Sequence, residues 1–161
     1  MSGSTKDHVA LRRSAHLVLV LDTPKGRGVF AAQDIPARTT IEVCPVLPLG
    51  VEEYEQYVRH TSLHHYTYNW PVVTADGKKQ MAQAVIFGLG SMFNHARDQN
   101  VGWERDLERL LVTYQTLRDV KAGEELCISY GDRLTFKDAD APAAVDEGDG
   151  SELLDRIQID A

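Results

Sequence analysis

The chain has 161 residues, of which 43% are apolar and 25% charged, with a formal net charge of -7. That length suits one domain burying roughly 70% of its unfolded surface, and the composition excludes a disordered or fibrous chain. The two cysteines, Cys44 and Cys127, are too few for a disulfide framework or a cysteine zinc site, and no apolar run reaches the length of a membrane span.

Met1 to Asp7 is polar and expected to fray, and residues 1–15 as a whole read as an N-terminal extension without a secretory signal. A location inside the cell, in nucleus or cytoplasm, follows as an expectation. His16 to Leu21 is nearly all apolar and β-prone, the pattern of a strand covered on both faces. Asp22-Thr23-Pro24-Lys25-Gly26 turns the chain into a second strand, Arg27 to Gln33. Gly26-Arg27-Gly28 is either a plain glycine hairpin or a place where backbone approaches a ligand.

Asp34 to Arg38 turns again, and Thr40 to Leu47 reads as a strand that Pro48 ends. Val51 to His60 has a helical period, with Val51, Tyr54 and Val58 opposite Glu52, Glu53 and Gln56. His60 and His64 have the spacing of two metal ligands on a helix, but no carboxylate or cysteine pattern completes a site, so no metal is expected. Tyr66, Tyr68 and Trp70 alternate and would share one face of a strand, as core or as a pocket wall. Asp76-Gly77 predicts a hairpin joining Val72-Val73-Thr74 to the run from Gln80 to Phe87, and the span 51–80 reads as an inserted helical and hairpin region.

Gly90 to Asn100 sets short polar groups, Asn94, His95, Asp98 and Asn100, directly after apolar Met92 and Phe93. It reads either as a polar turn or as a segment whose polar groups find partners in the interior. Val101 to Arg105 and Leu110 to Leu117 are β-like, the latter alternating Val112, Tyr114 and Thr116 against Thr113, Gln115 and Leu117. Glu125 to Tyr130 is the last predicted strand. From Lys137 on, eight acids face only Lys137 and Arg156, which concentrates about -6 of the charge in an acidic tail over 137–161 and leaves about -1 for the body. That balance argues against a dedicated nucleic-acid surface and tolerates a basic partner. The sum is a mostly β domain of small sheets with one or two short helices.

In this order, Gly26-Arg27-Gly28-Val29-Phe30-Ala31, Asn94-His95 with Asn100, and Gly123-Glu124-Glu125-Leu126 with Tyr130-Gly131 resemble the SET-domain protein lysine methyltransferases. The resemblance spans His16 to Phe136. It implies several small sheets with a C-terminal pseudoknot, and S-adenosyl-L-methionine as cofactor. By resemblance, Gly26, Arg27 and Gly28 lie along the cofactor's methionine part, Asn94 and His95 hold its amino and adenine groups, Tyr130 is the catalytic tyrosine, and Phe136 covers the adenine. Tyr66, Tyr68, Trp70 and Tyr114 are candidates for the substrate lysine channel, with Tyr68 and Trp70 the preferred wall.

The resemblance also implies a protein substrate with a target lysine, a histone among the candidates, and a small domain that is a homodimer candidate. A SET-fold binding or dimerisation module without catalysis is the alternative. Four departures from the family pattern stand out: Ala96-Arg97 follows Asn94-His95, no cysteine cluster follows Tyr130, Ser129 precedes the tyrosine, and Arg38 occupies a turn position often held by glycine.

Overall fold

The computed structural model describes residues 8–10 and 13–130. Phe136 and the acidic tail therefore lie outside the described residues. A two-stranded antiparallel sheet pairs β1 (Leu17–Thr23) with β2 (Gly26–Ala31). The main sheet has five antiparallel strands in the order β4-β5-β3-β8-β7, built from β3 (Thr40–Leu49), β4 (Thr67–Val73), β5 (Lys79–Ile86), β7 (Val101–Asp106) and β8 (Leu111–Thr116). A third, very short parallel pair joins β6 (Asn94–His95) to β9 (Cys127–Ile128).

Strand β3 runs through Pro48 to Leu49 instead of ending there. It changes partner on the way, pairing with β8 over Thr40 to Pro45 and with β5 over Val46 to Leu49. Val46 N donates to Leu110 O on the β8 side and Phe87 N to Pro45 O on the β5 side. The alternation of ladder bonds then turns the Pro48 nitrogen towards the side where β8 has ended, so its missing N–H costs no bond. Pro71 is tolerated for the simpler reason that β4 is an edge strand.

Three other expectations are corrected. β1 is not covered on both faces: Leu21 is 70% exposed and Val18 45%, because this small two-stranded sheet has no layer packed over those side chains. The predicted helix from Val51 to His60 stops at Gln56 as α1 (Val51–Gln56), since Tyr57 adopts φ -126° and the chain continues as two short 3-10 turns, Val58–His60 and Ser62–Tyr66. The final strand shrinks to Cys127–Ile128.

The predicted alternation of β8 holds, with Val112, Tyr114 and Thr116 buried and Gln115 and Leu117 exposed. Val112 and Tyr114 join Ile41, Cys44, Trp70, Ile86, Phe93 and Val101 in the core. Arg38 takes φ 60° in its turn, the left-handed geometry that explains why a glycine suits that position. At the entrance to the domain, Arg13 forks onto the buried Glu42 carboxylate at 3.0 and 2.9 Å.

The segment after β8 positions the site. Gly123 N and Ala31 N exchange bonds with Ala31 O and Glu124 O, and Leu126 N donates to Val29 O, so this segment lies against β2. Its next residues pair with β6 on the other side, Cys127 opposite Asn94 and Ile128 opposite His95. The segment from Gly123 to Ile128 thus lies between two earlier strands, the knot-like insertion that sets this topology apart from ordinary unthreaded sheets. Asn100 locks it: its Nδ2 donates to Glu125 O at 2.8 Å and its Oδ1 accepts from Cys127 N at 2.8 Å. Of the polar groups of the Gly90 to Asn100 stretch, Asn94, His95 and Asn100 find partners in the interior, whereas Asp98 stays exposed in a bend and Gln99 Oε1 is buried without a partner among the described residues.

Candidate active site

Asn94, His95 and Tyr130 meet where β6 and β9 pair. The backbone N–H of Tyr130 donates to His95 Nδ1 at 3.0 Å, so the ring proton of His95 is carried on Nε2. The two rings lie 5.4 Å apart between centroids. Tyr130's hydroxyl donates to Phe93 O. Burial, reinforced by Cys127 and Glu125, pushes the Tyr130 phenol upward in pKa, so it remains protonated across the neutral range. Lys25, from the turn between β1 and β2, donates its Nζ to His95 O at 3.1 Å.

The glycines of the first hairpin divide their roles. Gly26 has φ +87° and nothing within 4 Å of a notional Cβ, so the turn requires it. Gly28 is required by packing: a Cβ there would stand 2.6 Å from Glu125 Oε1 and 3.0 Å from Asn94 Nδ2. Asn94 Nδ2 donates to Arg27 O at 2.9 Å and to Glu125 Oε1 at 2.7 Å. The missing side chain at Gly28 therefore makes room for a side-chain pair. The sequence placed Glu125 in a motif but gave it no role of its own, because it reads as one of two surface acids. Its neighbour Glu124 is indeed at the surface, paired with Arg118.

The aromatic candidates separate. Tyr68 donates to Gly90 O at 2.6 Å and accepts from the Tyr114 hydroxyl at 3.1 Å. Both phenols are raised well above their usual pKa, by burial first; Tyr68 raises Tyr114 further, whereas the hydrogen bond from Tyr114 acts to lower Tyr68. Tyr68 is close enough to Tyr130 to feel its charge. Trp70 is 1% exposed and packs in the core, with the Arg105 guanidinium 6.0 Å from its ring. Tyr66 belongs to the Ser62–Tyr66 turn, is 40% exposed, and lines a cleft of about 350 Å³ with Arg27, Phe87, Ser91 and Met92, close enough to Tyr130 to add to the rise in its pKa.

Trp103, not singled out in the sequence, joins this group. It stands edge-on to Tyr68 at 5.2 Å, carries Arg105 4.4 Å above its ring, and donates Nε1 to Ser129 O at 3.4 Å. Its signal was its place in the β7 pattern opposite Tyr114 of β8. His64 bonds to the Tyr54 hydroxyl at 2.5 Å, and among the described residues no group of three or more His, Cys, Asp or Glu is gathered to hold a metal. No helix among them is long and apolar enough to cross a membrane.

This meeting of a glycine hairpin, an Asn-His pair and a C-terminal tyrosine coincides with residues 26–131, which match the family model of the SET domain. A relative from Schizosaccharomyces pombe, named "Histone-lysine N-methyltransferase, H3 lysine-37 specific", is 51% identical over 120 residues, 74% of this chain and 76% of the relative. The chain belongs to the SET-domain protein lysine methyltransferases. Its fold is shared by a solved Plasmodium falciparum chain named as a candidate histone methyltransferase, with a TM-score of 0.54 and 19% identity over 74% of this chain and 96% of that one. The activity of this SET domain is protein-lysine N-methyl transfer.

Proposed function

We propose that this SET domain, over residues 16–136, transfers methyl groups from S-adenosyl-L-methionine to a lysine of histone H3, in the region of the lysine-37 named for the Schizosaccharomyces pombe relative. The observation that carries the reading is the convergence of Asn94, His95 and Tyr130 beside the Gly26 hairpin. The pocket's chemistry fits the cofactor. Asn94 keeps Oδ1 for an amino group, Lys25 brings a cation to the same hairpin, and Glu125 offers a carboxylate oxygen that the described residues leave unpaired. When bound, the cofactor supplies an electrophilic methyl on a positively charged sulfur.

The chain's own contribution is positioning. Tyr130 gives its proton to Phe93 O, which turns the lone pairs of its oxygen towards the reacting centre, where they orient the attacking amine. Its raised pKa keeps it from ionising in that role. Tyr68, held by Gly90 O and Tyr114, and Trp103 beside it form a dry wall that admits the lysine as a neutral amine, since burial disfavours the ammonium form. The acidic tail over 137–161 suits a basic histone substrate. A histone substrate implies a nuclear, chromatin-bound site of action. The homodimer has a candidate contact in β1, whose Val18 on one face and Leu19 and Leu21 on the other stay exposed.

The test is transfer of labelled methyl from S-adenosyl-L-methionine to recombinant histone H3 and to H3 with lysine 37 replaced by arginine. Labelling of the first, its loss on the second, and its loss with Tyr130→Phe at cofactor affinity within a few-fold of the native chain are expected. Equal labelling of both histones would overturn the assignment of the lysine, and undiminished transfer by Tyr130→Phe would overturn the role of the tyrosine.

A further inference from the structure

The hydrogen bonds of Asn94 fix which end of its amide faces which way. Arg27 O and Glu125 Oε1, at 2.9 and 2.7 Å, are both acceptors, so only the NH2 end satisfies them. A flipped amide would set an oxygen against two oxygens. Oδ1 is thereby turned away from Arg27 and Glu125, as an acceptor with both lone pairs facing elsewhere. Glu125 is itself half-buried, and among the described residues no Lys or Arg pairs with its carboxylate and Oε2 makes no hydrogen bond. A partly desolvated carboxylate without a cation is costly unless something supplies the charge. The pair closes only because Gly28 has no Cβ to separate it.

We propose that Glu125 is a positioning residue that, by holding the Asn94 amide and adding its own uncompensated charge, makes this pocket select a ligand bearing a primary ammonium group. The ammonium is the α-amino group of the cofactor, and the inference rests on the reading of this pocket as the cofactor site. Asn94 Oδ1 and Glu125 Oε2 provide the two acceptors, and the carboxylate provides the charge that distinguishes –NH3+ from a neutral substituent of the same size. Glu125→Gln retains the shape and an oxygen to face Asn94, but removes the charge and lets the amide pair flip.

The experiment is calorimetric titration of the full chain with S-adenosyl-L-methionine and with its deaminated counterpart, the same sulfonium lacking only the α-amino group. The native chain is expected to prefer the amine. Glu125→Gln is expected to lose on the order of 10- to 100-fold in affinity for the amine, the range of a charge-assisted hydrogen bond, and no more than about two-fold for the deaminated ligand. Glu125→Asp should restore part of the preference. Gly28→Ala attacks the same pair from the opposite strand and should give the same selective loss, which keeps the proposal testable if Glu125→Gln folds poorly.

Equal weakening of both ligands by Glu125→Gln, or a preference left intact, would overturn the proposal while leaving the cofactor reading standing. A native chain that binds neither ligand would overturn the cofactor reading and this proposal with it.

Discussion

Replacing Tyr68 by Phe removes one oxygen and leaves two groups without partners. Gly90 O loses the donor 2.6 Å away, and the fully buried Tyr114 hydroxyl loses the acceptor at 3.1 Å. Each stranded group costs roughly 1 to 3 kcal/mol, partly offset because the phenol itself no longer needs desolvating, so a net loss of about 2 to 4 kcal/mol is expected. That is a large share of the roughly 5 to 15 kcal/mol that holds an average domain together, and for a chain of this length it lowers the melting temperature by about 5 to 15 °C. Urea unfolding followed by tryptophan fluorescence measures it, with the slope against denaturant unchanged.

Tyr114→Phe should cost far less, about 1 kcal/mol or under, because Tyr68 still donates to Gly90 O and loses only an incoming bond. The double variant should cost less than the two singles added, since Tyr114 then has no hydroxyl to strand. A Tyr68→Phe loss below about 0.5 kcal/mol, or strict additivity in the cycle, would refute the relay.

Arg13→Gln leaves the Glu42 carboxylate, 4% exposed, without its bidentate partner; because Arg13 itself is half in solvent, a loss of about 1 to 3 kcal/mol is expected in the same urea assay, and no change would mean that water replaces the guanidinium fully. Alkali should destabilise the fold: burial pushes Cys44 up to about 12 and raises Tyr68 and Tyr114 well above their usual values. The unfolded chain releases these protons from roughly pH 8.5 to 10 while the folded one retains them, so stability is fully present below that window and falls above it, by up to about 1.4 kcal/mol per pH unit for each group. A urea midpoint flat from pH 8 to 11, or a slope unaltered by Tyr114→Phe, would contradict this.

The sequence was most informative where a pattern reports its own surroundings. β8 has neighbours on both edges and one face on the core, so the alternation of Val112, Tyr114 and Thr116 declares the fold directly. β1 shows the limit: six residues from His16 to Leu21 look doubly covered, yet only the tertiary arrangement decides that no layer packs over Leu21, which meets solvent. Pro48 misled for a related reason, since no local signal says that β3 exchanges one partner strand for another at Pro45. In the site, the Asn94 and Tyr130 motifs were legible by family resemblance. Glu125 and Trp103 were not, because their meaning lies in contacts with residues far away in the chain, Asn94 and Tyr68, made only after the last segment is inserted.

That insertion also governs when the protein becomes able to work. A ribosome delivers Gly26 to Gly28 and Asn94 before Glu125 to Tyr130, so the slot between β2 and β6 cannot be filled until this last segment has emerged. During that interval the backbone edges of Val29, Ala31 and Asn94 are open to pairing with any other extended segment. The pocket is completed in a single late event of high sequence separation, which makes it slow to form and among the first parts to open. A protease or a chaperone that reaches the nascent chain before then would meet a domain whose β6 has no partner strand.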